Sequence, residues 1–119
     1  MNNVSPIRSA SAWVAVCHTA DLVDFSGVSA LVAGQQVALF SLPGQQPSLY
    51  ALDNFCPVSQ ANVLSRGIVG DLQGELVVAS PLYKEHFRLR DGQCLENDTR
   101  VRTWPVQVQG DTVMVMPPS

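Results

Sequence analysis

At 119 residues the chain has room for one domain that folds without staples, because unaided folding becomes marginal nearer ~40–60 residues. A content of 46% hydrophobic and 14% charged residues excludes a disordered chain. Seven basic against ten acidic side chains leave a formal charge of −3, so the overall positive field that suits non-specific nucleic-acid or anionic-membrane binding is missing.

Residues 1–12 are polar and lack the apolar stretch of a secretory signal, so a flexible tail is expected there, followed by a single domain over 13–116. The longest apolar runs are of strand length, well under the ~18 residues of a membrane span. Cys17, Cys56 and Cys94 are odd in number and widely spaced, which predicts free thiols in a reducing cytoplasm rather than a disulfide framework.

Residues 13–18 read as a first strand, and 28–32 as a second that ends at the Ala33-Gly34 turn. A hairpin is expected over 36–52, turning at Pro43-Gly44. Residues 53–74 show no sustained period of two. A connection of that length far exceeds the usual median of about 4–6 residues and is more often functional than idle. Asp53 and Asn54 are expected to form a turn at its entry, and Gly67 to supply a positive φ. The nearest thing to a helix is 61–66.

Beyond it, 75–80 is a nearly continuous apolar strand broken by Pro81, and 85–90 another strand that turns at Asp91-Gly92. A polar loop fills 93–102. Residues 103–109 and 112–116 close the chain as a hairpin, with Pro105 at an edge or bulge. Val113 to Met116 is apolar on both faces, so that strand is either central or covered by a partner. Many short strands between Gly, Pro and Asp turns predict an all-β antiparallel sandwich or barrel with a long irregular loop.

Two X-Pro dipeptides, Cys56-Pro57 and Ser80-Pro81, each stand just beyond a strand. Here the sequence resembles the Rieske family, in which two loops each offer one cysteine and one histidine to a [2Fe–2S] cluster. The resemblance places the four ligand positions at Cys56, Val58, Ser80 and Tyr83, and a glycine position at Gln60. One ligand of the four remains. Valine has no donor, and serine and tyrosine must each lose a high-pKa proton before binding iron well. Neither His18 nor His86 is expected to fill the gap, so no metal or cofactor site is expected in this chain. Tyr83 is expected instead to pack against Val58 in the space a cluster leaves.

Outside the ligand positions the stretches 51–54, 61–67, 70–74, 78–83, 86–89, 92–95 and 102–106 look like the small subunit of the NAD(P)H-dependent assimilatory nitrite reductase. Members of that group also lack the ligands, although a residue other than cysteine is usual at the position of Cys56. The resemblance implies a cytoplasmic partner, the large subunit, that carries FAD, a [4Fe–4S] cluster and sirohaem and reduces nitrite to ammonium. It implies a docking or stabilising role for this chain, with no catalytic residue of its own. Two other readings stand beside it: an electron carrier with atypical ligands, and a small-ligand module with a pocket between residues 53–74 and 80–84.

Five of the seven basic residues lie in 84–102, against four acidic ones. On a strand, Lys84, His86, Arg88 and Arg90 would share one face, and such a face steers an acidic partner. Arg88 and Arg90 are the stronger choices, since guanidinium forks pair specifically with carboxylates. Arg66 either clamps the long loop to Asp71 or projects to the partner, and Arg102 completes the candidate docking set. A Ser80–His86–Asp53 catalytic arrangement is disfavoured because no strand-to-helix elbow presents the serine.

Overall fold

The computed structural model describes residues 13–82 and 84–118; the expected tail over 1–12 and the expected packing of Tyr83 lie outside them. Eleven strands run β1 (Val14–His18), β2 (Ser26–Val32), β3 (Gln35–Ser41), β4 (Leu49–Asp53), β5 (Phe55–Cys56), β6 (Ala61–Asn62), β7 (Ile68–Leu72), β8 (Glu75–Ala79), β9 (His86–Arg88), β10 (Val106–Gln109) and β11 (Thr112–Val115). Two 3-10 turns, Thr19–Asp21 and Leu64–Arg66, are the only helical elements among the described residues. The strands form antiparallel sheets in the orders β1-β11-β10, β2-β3-β4, β5-β6 and β7-β8-β9.

The run Val37-Ala38-Leu39-Phe40 in β3 is wholly buried, which breaks the apolar-polar alternation of a one-sided sheet. Its cause is a core on each face. Val37 and Leu39 join Val32, Trp104, Val113 and Val115 in one cluster. Ala38 and Phe40 join Leu52, Cys56, Leu64, Val78 and Phe87 in the other. In β4, Ala51 and Leu52 divide between the two clusters in the same way. The middle sheet is thus a shared wall, and each large aliphatic or aromatic chain it buries contributes about 1.5–3 kcal/mol.

Hairpin turns set the register. The β2–β3 and β7–β8 connections are two residues long, and in both turns the two residues have positive φ: Ala33 and Gly34 at 51° and 83°, Gln73 and Gly74 at 54° and 85°. That is the twist-matched geometry of a tight hairpin. The last strand is central in its sheet, hydrogen-bonded to β1 and β10. Val113 and Val115 fill the core and Met114 lies on the half-exposed face.

Several sequence expectations shift. The stretch 53–74 is not structureless, since it contains β5, β6, the second 3-10 turn and β7. The strand expected over 85–90 stops at Arg88. Gly92 N donates to Arg88 O at 2.8 Å, and the Arg88 guanidinium folds onto Asp91, so the chain turns early. Lys84 and Arg90 therefore do not extend a strand face with His86 and Arg88. Residues 103 and 104 bond to β4, with a bridge between Leu52 and Thr103 and a 2.8 Å bond from Trp104 N to Ala51 O. Only after Pro105 does β10 begin.

Gly67 has a φ of −73°, so the expected positive dihedral is not its reason for being glycine. A Cβ there would sit 2.3 Å from Ala79 O. Close approach of two backbones excludes a side chain.

Candidate functional site

Two loops meet at one side of the cluster that holds Cys56. The first, 57–60, joins β5 to β6, and the second, 80–85, joins β8 to β9. They share a closure. Gln60 N donates to Cys56 O at 2.7 Å, and Lys84 N donates to Ser80 O at 3.0 Å. The closing residues, Gln60 and Lys84, both have left-handed backbones, at φ 55° and 65°. Gln60 occupies the position where the Rieske resemblance expects glycine, and its dihedral gives the reason.

Asn54 anchors the first loop from below, 1% exposed. Its Nδ2 donates to Gln36 Oε1 at 2.9 Å and its Oδ1 accepts from Ser65 N at 2.7 Å. Its backbone N donates to Gln36 O, and its carbonyl accepts from Leu64 N. A local turn at the loop entry was expected from the sequence; the bonds instead reach eleven and eighteen residues away. Asp53 accepts from Arg102 Nε at 2.8 Å and from Trp104 Nε1 at 2.8 Å. It ties the entry of the loop to the 102–104 segment.

At the centre, Cys56 Sγ donates to Ser80 Oγ across 3.7 Å, with both residues buried. Burial pushes the thiol up. The hydroxyl and amide of Ser59, the Ser80 hydroxyl and the Val58 amide gather round the sulfur and more than offset that, so Cys56 ionises more readily than a free cysteine. Ser59 Oγ itself is buried without an in-line hydrogen-bond partner, so its effect on the sulfur is that of a nearby dipole rather than a formed bond. Nothing in the sequence singled out Ser59. Val58 packs its side chain onto the core cluster beside Cys56.

This donor set does not fit a [2Fe–2S] cluster. Cys56 and Ser80 are brought together, but Val58 offers no lone pair, and the two histidines are placed elsewhere. His18 lies at the end of β1. His86 Nδ1 is 2.6 Å from Glu96 Oε2. Among the described residues no group of three or more His, Cys, Asp or Glu side chains converges to hold a metal ion.

Ser80, His86 and Asp53 do not bond to one another; their polar atoms are engaged with Cys56, Glu96 and Arg102 respectively. A cleft of about 370 Å³ lies between Leu31, Gln36, Asp53, Phe55, Asn62 and Arg102. Phe55 turns outward to it while Cys56, its neighbour on β5, turns into the core.

The candidate docking residues fall into two groups. Arg88 holds Asp91 at 3.0 and 2.6 Å, Arg90 holds Glu75 at 3.0 and 3.1 Å, Arg102 holds Asp53, and His86 holds Glu96. Burial raises the Asp91 carboxyl, but the Arg88 guanidinium and the Gln93 amide outweigh it and keep it below its ordinary range. Arg66 and Lys84 are exposed and form no ion pair among the described residues. Asp71, the alternative partner of Arg66, instead caps its own turn by accepting from Gly74 N at 2.9 Å.

Comparison with known proteins accords with this architecture. Residues 12–116 match the Rieske-like [2Fe-2S] domain family. The chain is 43% identical over 108 residues to the nitrite reductase (NADH) small subunit of Salmonella typhimurium, covering 84% of this chain and 99% of that one. The NMR structure of the Escherichia coli protein NirD superposes with a TM-score of 0.80 at 37% identity, covering 90% of this chain and 97% of the other. A stretch of the nitrite reductase [NAD(P)H] large subunit of Klebsiella oxytoca is 45% identical over 111 residues, which is 92% of this chain but only 11% of that protein. The chain belongs to the Rieske-like [2Fe-2S] domain family and, within it, to the group of nitrite reductase (NADH) small subunits.

Proposed function

We propose that the chain is a non-catalytic small subunit of an NAD(P)H-dependent nitrite reductase, docking to and supporting the large subunit that reduces nitrite to ammonium. FAD, a [4Fe–4S] cluster and sirohaem belong to that partner, as the family resemblance implies. Residues 13–116 act as one domain. Three free cysteines favour a reducing, cytoplasmic setting. No helix among the described residues is long and apolar enough to cross a membrane.

The observation that carries the reading is the Klebsiella oxytoca relative, in which a homologous stretch forms part of a protein named as the large subunit. A domain found as part of one polypeptide and as a separate chain of similar sequence is best explained as acting on the same body in both. The donor set of the two loops favours a supporting rather than an electron-carrying role, since three of the four ligand positions carry no cysteine or histidine.

Expressing the large subunit with and without this chain tests the proposal, with folded yield and nitrite turnover measured separately. The expected result is a stoichiometric complex, with yield or turnover lowered when the chain is omitted. Equal yield and turnover, with no complex on gel filtration, would overturn it.

A further inference from the structure

The second loop and the segment beside it carry exposed aliphatic side chains and cations that form no ion pair among the described residues. Gly67 lies against Ala79 O so closely that a Cβ would come within 2.3 Å of it, and Ile68 pairs with Ala79 across β7 and β8. Residues 66–68 therefore lie beside the foot of the 80–85 loop. Ile68 is 74% exposed and Leu82 55% exposed. Two large aliphatic chains on adjoining segments thus open to water and add nothing to the core.

The cations on this surface carry the second half of the argument. Of the arginines and lysines outside the N-terminal tail, Arg88, Arg90 and Arg102 each have a carboxylate within the chain. Arg66, two residues before Ile68, and Lys84, two residues after Leu82, have none among the described residues. Arg100 is also unpaired, but it lines a groove together with Asp91. Of the other exposed apolar residues, Leu31 and Phe55 flank a cleft whose charges, Asp53 and Arg102, already satisfy each other, and Val23 and Phe25 flank Asp24 in a segment without arginine or lysine. Among the described residues, Ile68 and Leu82 are the exposed aliphatics that stand within two residues of a cation lacking a carboxylate partner.

Resting on the small-subunit reading, we propose that Arg66, Ile68, Leu82 and Lys84 form the face that docks on the large subunit. The complementary surface on that partner is an apolar patch rimmed by carboxylates. An apolar centre supplies the contact that holds, and rim charges of opposite sign supply orientation and association rate. The paired arginines, Arg88, Arg90 and Arg102, lie outside the face.

Binding of the purified chain to its large subunit, measured at low and high salt, tests this. For the native chain, affinity should fall with salt. The double reversal R66E/K84E should weaken binding by about 100-fold at low salt and remove most of the salt dependence. Should that variant lack a cooperative melt, I68S/L82S carries the same test, with a loss of at least about tenfold expected. Arg90→Gln, which breaks only the internal pairs with Glu75 and Asp91, should bind like the native chain. Native affinity in the folded reversal or the folded serine variant, or a greater loss from Arg90→Gln, would overturn the assignment of this face. A native chain that does not bind the large subunit at all would overturn the small-subunit reading beneath it.

Discussion

The two loops have the same backbone closure and opposite relations to the rest of the molecule. In the first, Cys56 is buried, Pro57, Val58 and Ser59 are half-buried, and Asn54 holds the strand beneath by side-chain bonds to Gln36 and Ser65. In the second, Ser80 is buried but Pro81, Leu82 and Lys84 are exposed. One loop is part of the core and the other projects from it. A shared turn geometry therefore says how each loop is closed, and the surrounding side chains decide whether it serves the fold or faces outward.

The strongest way to break this comparison is to push the two apart. Gly67 sits where the segment after the first loop touches the foot of the second, so Gly67→Ala forces a methyl against Ala79 O. A loss of about 3 kcal/mol is expected from such overpacking, measured by urea unfolding. An unchanged midpoint would mean that the two segments separate freely. Next in size is Asn54→Ala, which removes the bond to Gln36, leaves the half-buried Ser65 amide without its acceptor and should cost about 2 kcal/mol. Leu82→Ser, in the projecting loop, should change stability by less than about 0.5 kcal/mol. Equal costs for these two substitutions would erase the distinction.

The shared closure can be sharpened separately. Gln60→Gly and Lys84→Gly each relieve a left-handed backbone that a side chain disfavours by about 1–2 kcal/mol, while glycine adds freedom to the unfolded chain. Each should be more stable than the native chain by about 0.5–1 kcal/mol, and by similar amounts, in thermal or urea unfolding. Destabilisation by either would show that the side chain, not the dihedral, matters there.

Much of the fold was legible because it is written in local signals. Ala33-Gly34 marked a hairpin turn, and the two X-Pro dipeptides marked the two loops. What stayed hidden depends on partners far away in the chain. The buried run Val37 to Phe40 did not reveal that its faces serve different cores. Arg90 looked like a free strand-face cation because its partner, Glu75, lies fifteen residues back in the chain on β8. Asn54 looked like a local turn residue because Gln36 and Ser65 cannot be paired with it from spacing. The same blindness covered the docking candidates: charge was visible in the sequence, but whether a charge was already neutralised was not.

The smallest effect concerns how each loop is tied to its neighbours. Where the second loop rejoins β9, His86 N donates to Glu96 Oε1 at 2.8 Å and the His86 ring holds the other oxygen. Burial raises the Glu96 carboxyl, but the amide and ring of His86 outweigh it, so its folded pKa lies below the ordinary value. A carboxyl lowered in this way adds stability above its unfolded pKa of about 4.3 and loses it as pH falls through the folded value. Glu96 is 43% exposed, so solvent screening limits the contribution to about 0.5 kcal/mol. The corresponding tie in the first loop, Ser65 N to Asn54 Oδ1, involves a neutral amide that does not titrate. Hydrogen exchange at neutral pH and near pH 3, corrected for intrinsic rates, should therefore show protection falling at the His86 amide while that of the Ser65 amide is retained. Parallel loss at both amides would mean that acid loosens the fold as a whole and that the two loops are not tied down independently.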